Sequence, residues 1–290
     1  MSARNLRGGD NTTKLTIALI WPIDTRVSLV GRILTGIQKY IASQNNNEIK
    51  LLVETFSNEH GITQVKGLKT SNLFNGAIIA NTTEKDEELL NNFIPDIPIV
   101  LFNRFSSVYS VIHAKNYEAG KEVAEHFIKN KHQKVIILVP DVSSQALESG
   151  LAGITERFDG EQSTSIKYLK RYCSYTEQGG YESIQSLLSE KYIPTAIICL
   201  SDHVALGALS ALNDEGITVP DDCEIIGFDN QEFSKFTNPK LSTVNLPVED
   251  MAYNAGEMLV KKIVNPYSSI DIDTFDLSII HRGTTKPIEK

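Results

Sequence analysis

The sequence lacks the features that mark a membrane-spanning or secreted protein. No stretch approaches the roughly 20 consecutive apolar residues that a membrane span requires. The first residues, MSARNLRGGDNTTK, contain no hydrophobic segment of the kind found in secretory signals. We therefore expect a cytoplasmic protein without a membrane partner.

Positive charge is also scarce, because 28 Lys and Arg residues face 36 Asp and Glu residues, giving a formal net charge of −8. This balance excludes a nucleic-acid-binding surface spread over the whole body and leaves only a short basic arm for contacts with phosphates.

Cysteine is rare as well. Cys173, Cys199 and Cys223 are odd in number, form no C-x-x-C pair and lie in or beside apolar runs, so we interpret them as reduced core residues.

Catalytic signatures are missing from the sequence. It has no G-x-G-x-x-G after a strand, no G-x-x-x-x-G-K-[ST], no H-E-x-x-H and no G-x-S-x-G. The six histidines are scattered without metal-ligand spacing, which indicates surface or structural positions. We expect no enzyme, no metal ion and no cofactor.

What is present is a strict alternation of β-branched runs with amphipathic segments, typical of βαβ units in a parallel sheet. The pattern predicts α-helices at 28–43, 61–73, 84–93, 116–130, 145–158, 176–190, 202–215 and 248–264. It predicts strands at 15–21, 49–56, 76–81, 97–103, 110–114, 134–140, 166–172, 195–201, 223–229 and 275–283. Ten strands are too many for one ordinary sheet, so a chain of 290 residues is expected to form two α/β lobes.

Polar residues stand where predicted strands end. Asn103, Asp202 and Asp229 converge on one edge if the strands form a parallel arrangement, and α/β proteins bind their ligands at the carboxyl ends of such strands. The alternative is that each side chain only caps a helix or turn by bonding its own downstream backbone. Asn116 is predicted to be the N-cap of the helix at 116–130.

The segment AIICLSDHVALGALSALNDEGITVPDDCEIIGFD, continued by P-x-L-x-T-V up to residue 263, resembles the effector-binding core of LacI/GalR bacterial transcription regulators. PIVLFNR (98–104), YTEQGGYESIQSLL (175–188) and IIHRGTT (279–285) match the same family. The resemblance extends from Lys14 onward. It implies an α/β fold of two Rossmann-like parallel-sheet subdomains with a ligand cleft between them, as in type I periplasmic binding proteins. The implied division is 14–114 plus 246–266 for the first subdomain and 115–245 plus 267–290 for the second.

Residues 1–13 resemble the end of the family's hinge helix. There, Leu6 would wedge into the DNA minor groove while Arg4 and Arg7 contact phosphates; the alternative is an unstructured tail. The family's N-terminal helix-turn-helix is not in this sequence, either because the chain was cut inside the hinge or because the protein is a natural relative without that head. We expect this chain to bind effector and form a homodimer but to bind operator DNA poorly.

The resemblance also implies a set of effector-binding residues. Asp229 and Asn103 would accept hydrogen bonds from ligand hydroxyls, and Tyr175 would pack against the apolar face of a sugar. Gly150 stands where the family usually has an arginine, and Ser201 replaces the common asparagine before Asp202. Further expected wall residues are Trp21, Asp24, Arg26, Ser28, Asp141 and Ser144. Trp21 has core packing as its alternative.

The function implied is transcriptional control. A small molecule, expected to be a sugar or sugar derivative, would bind between the lobes and so change operator binding. The alternative is the solute-binding component of an importer, which shares the fold.

Overall fold

The computed structural model describes residues 13–23, 25–44, 47–57, 59–69, 73–93, 95–161 and 166–288. These residues form two compact units. The first contains the described residues up to His113 together with Val248–Asp273, and the second contains Ala114–Pro247 together with the residues from Thr274 onward. Residues 267–273 therefore belong to the first unit, whereas the sequence prediction placed them in the second.

The first unit is built on a six-stranded sheet with the order β11-β5-β4-β3-β1-β2. Strands β1 to β5 pair in parallel. The strands are β1 (Thr13–Pro22), β2 (Asn47–Phe56), β3 (Gly76–Ala80), β4 (Ile99–Phe102), β5 (Ser110–Ala114) and β11 (Ile272–Phe275). β3 and β4 are buried at every position, because parallel strands that are covered on both faces are apolar throughout.

Three α-helices belong to the first unit among its described residues: α1 (Val27–Ala42), α2 (Glu84–Phe93) and α7 (Val248–Val264). α1 packs against α7. Gly36 makes this approach possible, because a Cβ at residue 36 would lie 2.2 Å from the backbone oxygen of Glu249. The two helices are also joined by an ion pair between Arg32 and Glu249.

The helix predicted at 61–73 is wrong. The structure has two 3₁₀ turns there, Ile62–Gln64 and Lys66–Lys69, separated by Val65 in an extended conformation. Ile62, Val65 and Leu68 are all buried. Their spacing of three residues suits the three residues per turn of a 3₁₀ helix better than the 3.6 of an α-helix.

The second unit contains a six-stranded sheet with the order β12-β10-β9-β8-β6-β7. All its pairs are parallel except β10 with β12, which is antiparallel. The strands are β6 (Lys134–Pro140), β7 (Lys167–Cys173), β8 (Ala196–Cys199), β9 (Glu224–Phe228), β10 (Ser242–Asn245) and β12 (Ser278–Ile280). The helices are α3 (Asn116–Lys129), α4 (Gln145–Asp159), α5 (Glu177–Ser189) and α6 (Asp202–Asp214).

Helices cover both faces of this second sheet. Ile136 and Leu138 of β6 join a cluster with residues of α5 and α6. Val135 and Ile137 join the other cluster, with residues of α3 and α4. The two-residue period of a strand thus divides the core into two apolar layers, with the sheet between them.

Some local predictions need correction. β10 and β11 were not predicted, and the strand expected at 275–283 is limited to Ser278–Ile280. Asn116 is not the N-cap of α3, because the helix begins at Asn116 and Lys115 holds the cap position. The Asn116 side chain donates a hydrogen bond to the carbonyl oxygen of Ala114 at 3.0 Å instead of accepting one from a first-turn amide.

Candidate functional site

Three buried parallel strands end on the same backbone feature. β3 is followed by Asn81, β4 by Asn103 and β9 by Asp229, with φ angles of +57°, +53° and +101°. Positive φ is uncommon for residues other than glycine, although Asn and Asp adopt it more readily than most. Such conformations cluster at functional sites. The carboxyl edge of each sheet therefore carries polar residues on constrained turns.

Asn103 is half-buried, and its backbone N–H donates to the carbonyl oxygen of Ile112 at 2.7 Å. The next residue, Arg104, is 5% exposed. Its guanidinium donates to the backbone oxygen of Thr82 and forms an ion pair with Glu87. Arg104 thus anchors the loop after β4 to the start of α2. This arginine is part of the motif PIVLFNR, but no role was predicted for it from the sequence.

The loop after β1 contains several of the predicted residues. Trp21 is in β1 and only 9% exposed, so most of its surface is core. Arg26 occupies the N-cap position of α1, and Ser28 lies in the first turn; both are half-buried. The Asn81 amide donates to Thr25 Oγ1 at 3.1 Å, which links the loops after β1 and β3. Asn81 and Thr25 were missed, although an Asn at the end of an apolar strand was a visible signal.

In the second unit the ends of β6 and β7 are connected, because the N–H of Asp141 donates to the carbonyl oxygen of Cys173 at 2.8 Å. Asp141 is exposed. Ser144 is the N-cap of α4, and its hydroxyl accepts a long hydrogen bond from the N–H of Leu147 at 3.5 Å. Tyr175 follows β7, is half-buried and packs on the core cluster shared with α5 and α6.

Ser201 and Asp202, at the end of β8, are fully buried. The Ser201 hydroxyl caps α6 by accepting from the N–H of His203 at 3.2 Å. Asp202 Oδ2 accepts from the N–H of Gln231 at 2.7 Å, and Oδ1 accepts from Thr243 Oγ1 at 2.6 Å. Both side chains thus make hydrogen bonds inside the second unit, and their place on the wall of an effector site stays a prediction.

Asp202 and Asp229 influence each other electrostatically. Burial raises the pKa of the Asp202 carboxyl well above its usual range, and the negative charge of Asp229 raises it further. Asp229 itself is half-buried, and its N–H donates to the carbonyl oxygen of Val244 at 3.0 Å. Because β8 and β9 are neighbours in the sheet, these two acidic residues lie at the same carboxyl edge.

Arg282 was also missed by the sequence analysis. Its guanidinium donates to Asn230 Oδ1 at 2.7 Å and to Ser234 Oγ at 3.1 Å, so it supports the turn that follows β9. Its place in the closing motif IIHRGTT could have indicated its role.

Gly150, where the family usually has an arginine, is buried in α4. A Cβ there would have ordinary contacts, 3.6 Å from the Asn116 carbonyl oxygen and 4.0 Å from the Phe228 ring.

The remaining predicted residues, Asp24 and the hinge residues Arg4, Leu6 and Arg7, lie outside the described residues. Within the described ranges, no group of three or more His, Cys, Asp and Glu residues is arranged to hold a metal ion. No helix in the same ranges is both long and apolar enough to span a bilayer.

Comparison with known proteins gives a consistent result. The family of periplasmic binding protein-like domains matches residues 124–285, more than half of the chain. A probable HTH-type transcriptional repressor, ExuR of Bacillus subtilis (strain 168), is 27% identical over 252 residues, which are 83% of this chain and 71% of that protein. The HTH-type transcriptional repressor PurR of Haemophilus influenzae (strain PittEE) is 28% identical over 197 residues, covering 66% of this chain and 58% of PurR.

Two solved structures show the same fold at low sequence identity. The CelR–cellobiose complex has a TM-score of 0.80 and 19% identity, covering 95% of this chain and 86% of CelR. A ribose-bound LacI family regulator from Enterococcus faecium has a TM-score of 0.78 and 20% identity, covering 94% of this chain and all of that one.

A LacI family transcription regulator from Clostridium acetobutylicum is closer in sequence. It is 30% identical, with a TM-score of 0.85, and the match covers 92% of this chain and 99% of that structure. An identity of 30% over almost the full length of both chains, together with the domain match, shows membership of the same family and not the fold alone. The chain belongs to the LacI family of transcription regulators.

Proposed function

We propose that this chain is the effector-binding core of a transcriptional repressor and that its effector is a carbohydrate-like small molecule. Family membership supports the regulatory role, and the curated relatives are named as repressors, which are not enzymes. The importer component considered from the sequence remains the alternative, and the relatives named as repressors favour the regulatory function. The observation that carries the proposal is the polar residue on a left-handed turn at the end of a buried strand, Asn103 in one sheet and Asp229 in the other.

Each of these residues has a chemical task in the proposal. The Asp229 carboxylate accepts hydrogen bonds from ligand hydroxyls, and a carboxylate can accept several at once. The Asn103 amide can both donate and accept, which suits a hydroxyl group. Tyr175 offers an aromatic ring for the C–H face of a sugar. Asp141, Arg26 and Ser28 are proposed as additional polar contacts.

The carbohydrate class is supported by two structural relatives, one with bound cellobiose and one with bound ribose. In this chain the small Gly150 replaces the family's arginine, which leaves the proposed site without one guanidinium donor. Because glycine also occupies less space than arginine, we propose that the effector is larger than a monosaccharide, for example a disaccharide or a nucleoside.

In the full regulator, effector binding is proposed to alter operator binding by a cytoplasmic homodimer through an N-terminal DNA-reading head and hinge. The coupling is reciprocal, so DNA and effector must change each other's affinity by the same factor. The chain covers 58% of the length of PurR, and the control of DNA is therefore proposed for the whole protein and not for this part alone.

The test is a thermal-shift screen with D-ribose, D-glucose, cellobiose, D-glucuronate, glucose 6-phosphate and adenosine. A ligand that binds only the folded protein at 100 times its Kd adds about 2.7 kcal/mol to the free energy of unfolding, so the midpoint temperature rises. We expect a rise with at least one probe, its loss in Asp229→Ala and its retention in the control Asp222→Ala. A probe that stabilises wild type and Asp229→Ala equally would remove Asp229 from the site.

A further inference from the structure

We propose that Asp202 is a positioning residue, which does not touch the effector but fixes the turn after β9 and so sets the place of Asp229. The inference rests on the proposed function, since it concerns how that site is built. In this proposal Asp202 does not line the effector site; it supports Asp229, which does.

The first observation is where the Asp202 carboxylate makes its bonds. One oxygen accepts from the backbone N–H of Gln231, two residues after Asp229, at 2.7 Å. The other accepts from the hydroxyl of Thr243 in the neighbouring strand β10 at 2.6 Å. The side chain is fully buried, so in the described chain its two oxygens join the β9 turn to β10. Breaking one of these buried hydrogen bonds leaves a buried polar group unsatisfied, which lowers the stability of the turn.

The second observation is that Thr243 extends the same connection. Its Oγ1 accepts from the backbone N–H of Asn230 at 3.2 Å while it donates to Asp202. The Asn230 side chain is held as well, donating to Asn245 Oδ1 at 2.8 Å and accepting from Arg282 at 2.7 Å. The N–H groups of three successive residues, from Asp229 through Gln231, therefore all have fixed acceptors.

The third observation is that β9 leaves room for this carboxylate by having a glycine. A Cβ at Gly227 would lie 2.2 Å from Asp202 Oδ1. Any larger residue at position 227 would push the carboxylate away from the turn.

These bonds have a consequence for Asp229. Its φ of +101° is outside the region that aspartate usually adopts, and such a conformation persists only where the surroundings enforce it. The amides that follow it supply that restraint through Asp202 and Thr243. Without it, the turn can relax and the Asp229 carboxylate loses its preset direction, so that binding must restore the order at a cost in affinity.

The experiment compares Asp202→Asn, Thr243→Val and Thr243→Ser with the wild type. Asn keeps the shape of Asp202 but presents an N–H₂ group to one of its two donors, and Val keeps the shape of Thr243 without its hydroxyl. Thr243→Ser keeps the hydroxyl and is the conservative rescue. The matched control is Asp222→Asn, because Asp222 also accepts a backbone N–H, from Thr218 at 2.9 Å, in an exposed turn of the same unit.

Two quantities are measured well below the unfolding temperature. One is hydrogen exchange of the amides of residues 229–231, and the other is the affinity for D-ribose and cellobiose by calorimetry. Losing one of these buried hydrogen bonds is expected to speed exchange at 230 and 231 and to weaken sugar binding by about tenfold or more in Asp202→Asn and Thr243→Val. Thr243→Ser and Asp222→Asn are expected to stay within about threefold of wild type.

Unchanged exchange at Asn230 and Gln231 in both Asp202→Asn and Thr243→Val would overturn the inference. So would faster exchange with unchanged affinity, because a purely structural residue lowers stability without altering binding by the folded protein. If wild type binds neither sugar, the proposed sugar class loses its support, while the exchange measurement still decides whether Asp202 holds the turn.

Discussion

Gly120 in α3 lies against the backbone of Gly150 in α4, so closely that a Cβ at residue 120 would be 2.1 Å from the Gly150 carbonyl oxygen. Likewise, a Cβ at residue 153 of α4 would be 2.0 Å from the carbonyl oxygen of Tyr117 in α3. Two helices can approach to this distance only where one of them has no side chain. The glycines of α3 and α4 therefore set the packing of one face of the second sheet.

Gly120→Ala is accordingly expected to lower the free energy of unfolding by about 1–3 kcal/mol, because the two helices must move apart. Gly150→Ala is the matched control. Its Cβ would meet only ordinary contacts, the nearest at 3.6 Å, and Ala is favoured over Gly inside a helix by about 0.8–1 kcal/mol. Urea unfolding measures both, and equal destabilisation by the two variants would contradict the close helix contact.

Acid stability is expected to depend on Glu224, at the start of β9. Its carboxylate is 2.9 Å from His126 Nε2 and 3.0 Å from His132 Nε2, and it also accepts from the N–H of Lys286 at 3.2 Å. Burial raises the pKa of Glu224, but the hydrogen bonds with the two histidines outweigh burial and lower the pKa to about 2.

Since this folded-state pKa is below the ordinary value of 4.5, the stabilisation is complete above pH 4.5 and is lost as the pH falls towards 2. The loss is on the order of 3 kcal/mol. The free energy of unfolding of Glu224→Gln, measured from pH 6 to pH 3, is expected to be lower at the top of this range and to fall less steeply. A variant that loses stability with the same slope as wild type would show that Glu224 does not control this transition.

The ion pair between Arg32 and Glu249 is expected to stabilise the first unit. Arg32 Nε lies 2.8 Å from Oε1 and Nη2 lies 2.9 Å from Oε2, a bidentate arrangement in which the side chains are 19% and 31% exposed. Arg32→Ala should lower the free energy of unfolding by about 1–2 kcal/mol. Arg32→Lys should restore only part of this loss, because Lys cannot bind both oxygens in this way.

The control for Arg32 is Lys14→Ala, which removes the pair between Lys14 and Glu48, whose side chains are 79% and 65% exposed. Exposed pairs contribute little, about 0–1 kcal/mol. Chemical unfolding of the three variants makes the comparison. If Lys14→Ala lowers the free energy of unfolding as much as Arg32→Ala does, the bidentate pair is not the source of the stability.

The cysteines are expected to resist modification in the folded protein. Cys173, Cys199 and Cys223 are free and buried, and burial raises the pKa of each thiol, so little reactive thiolate forms at pH 8. An aromatic disulfide reagent should find no rapidly reacting thiol before denaturant is added and all three afterwards. Rapid labelling of the native protein would contradict their burial.

Much of the fold was predictable because its strands are apolar and β-branched. The predictions for β5 (Ser110–Ala114) and β6 (Lys134–Pro140) are confirmed residue for residue, as are those for α2 and α7. These elements bury their own side chains, so their pattern is visible in a local window. The α/β architecture with two mostly parallel sheets is confirmed as well.

β10 shows why the rest could not be predicted. Ser242 and Thr243 are fully buried polar residues, which a hydrophobic pattern assigns to a loop. Ser242 bonds to Thr284 and Thr285, and Thr243 bonds to Asp202. Because these partners lie some 40 residues away in sequence, only the folded chain shows why such side chains can be buried. The same reason explains why the hydrogen bond between Asp202 and the turn after β9 could not be predicted from the sequence.

The order of strands along the chain has a consequence for biosynthesis. The first sheet receives β11 from residues 272–275, and the second receives β12 from residues 278–280, in each case after all the other strands of that sheet. A nascent chain leaving the ribosome thus exposes an incomplete edge on each sheet until residues 272–280 have been synthesised. Fragments ending near residue 114 or 247 should be poor folding units and are candidates for chaperone binding.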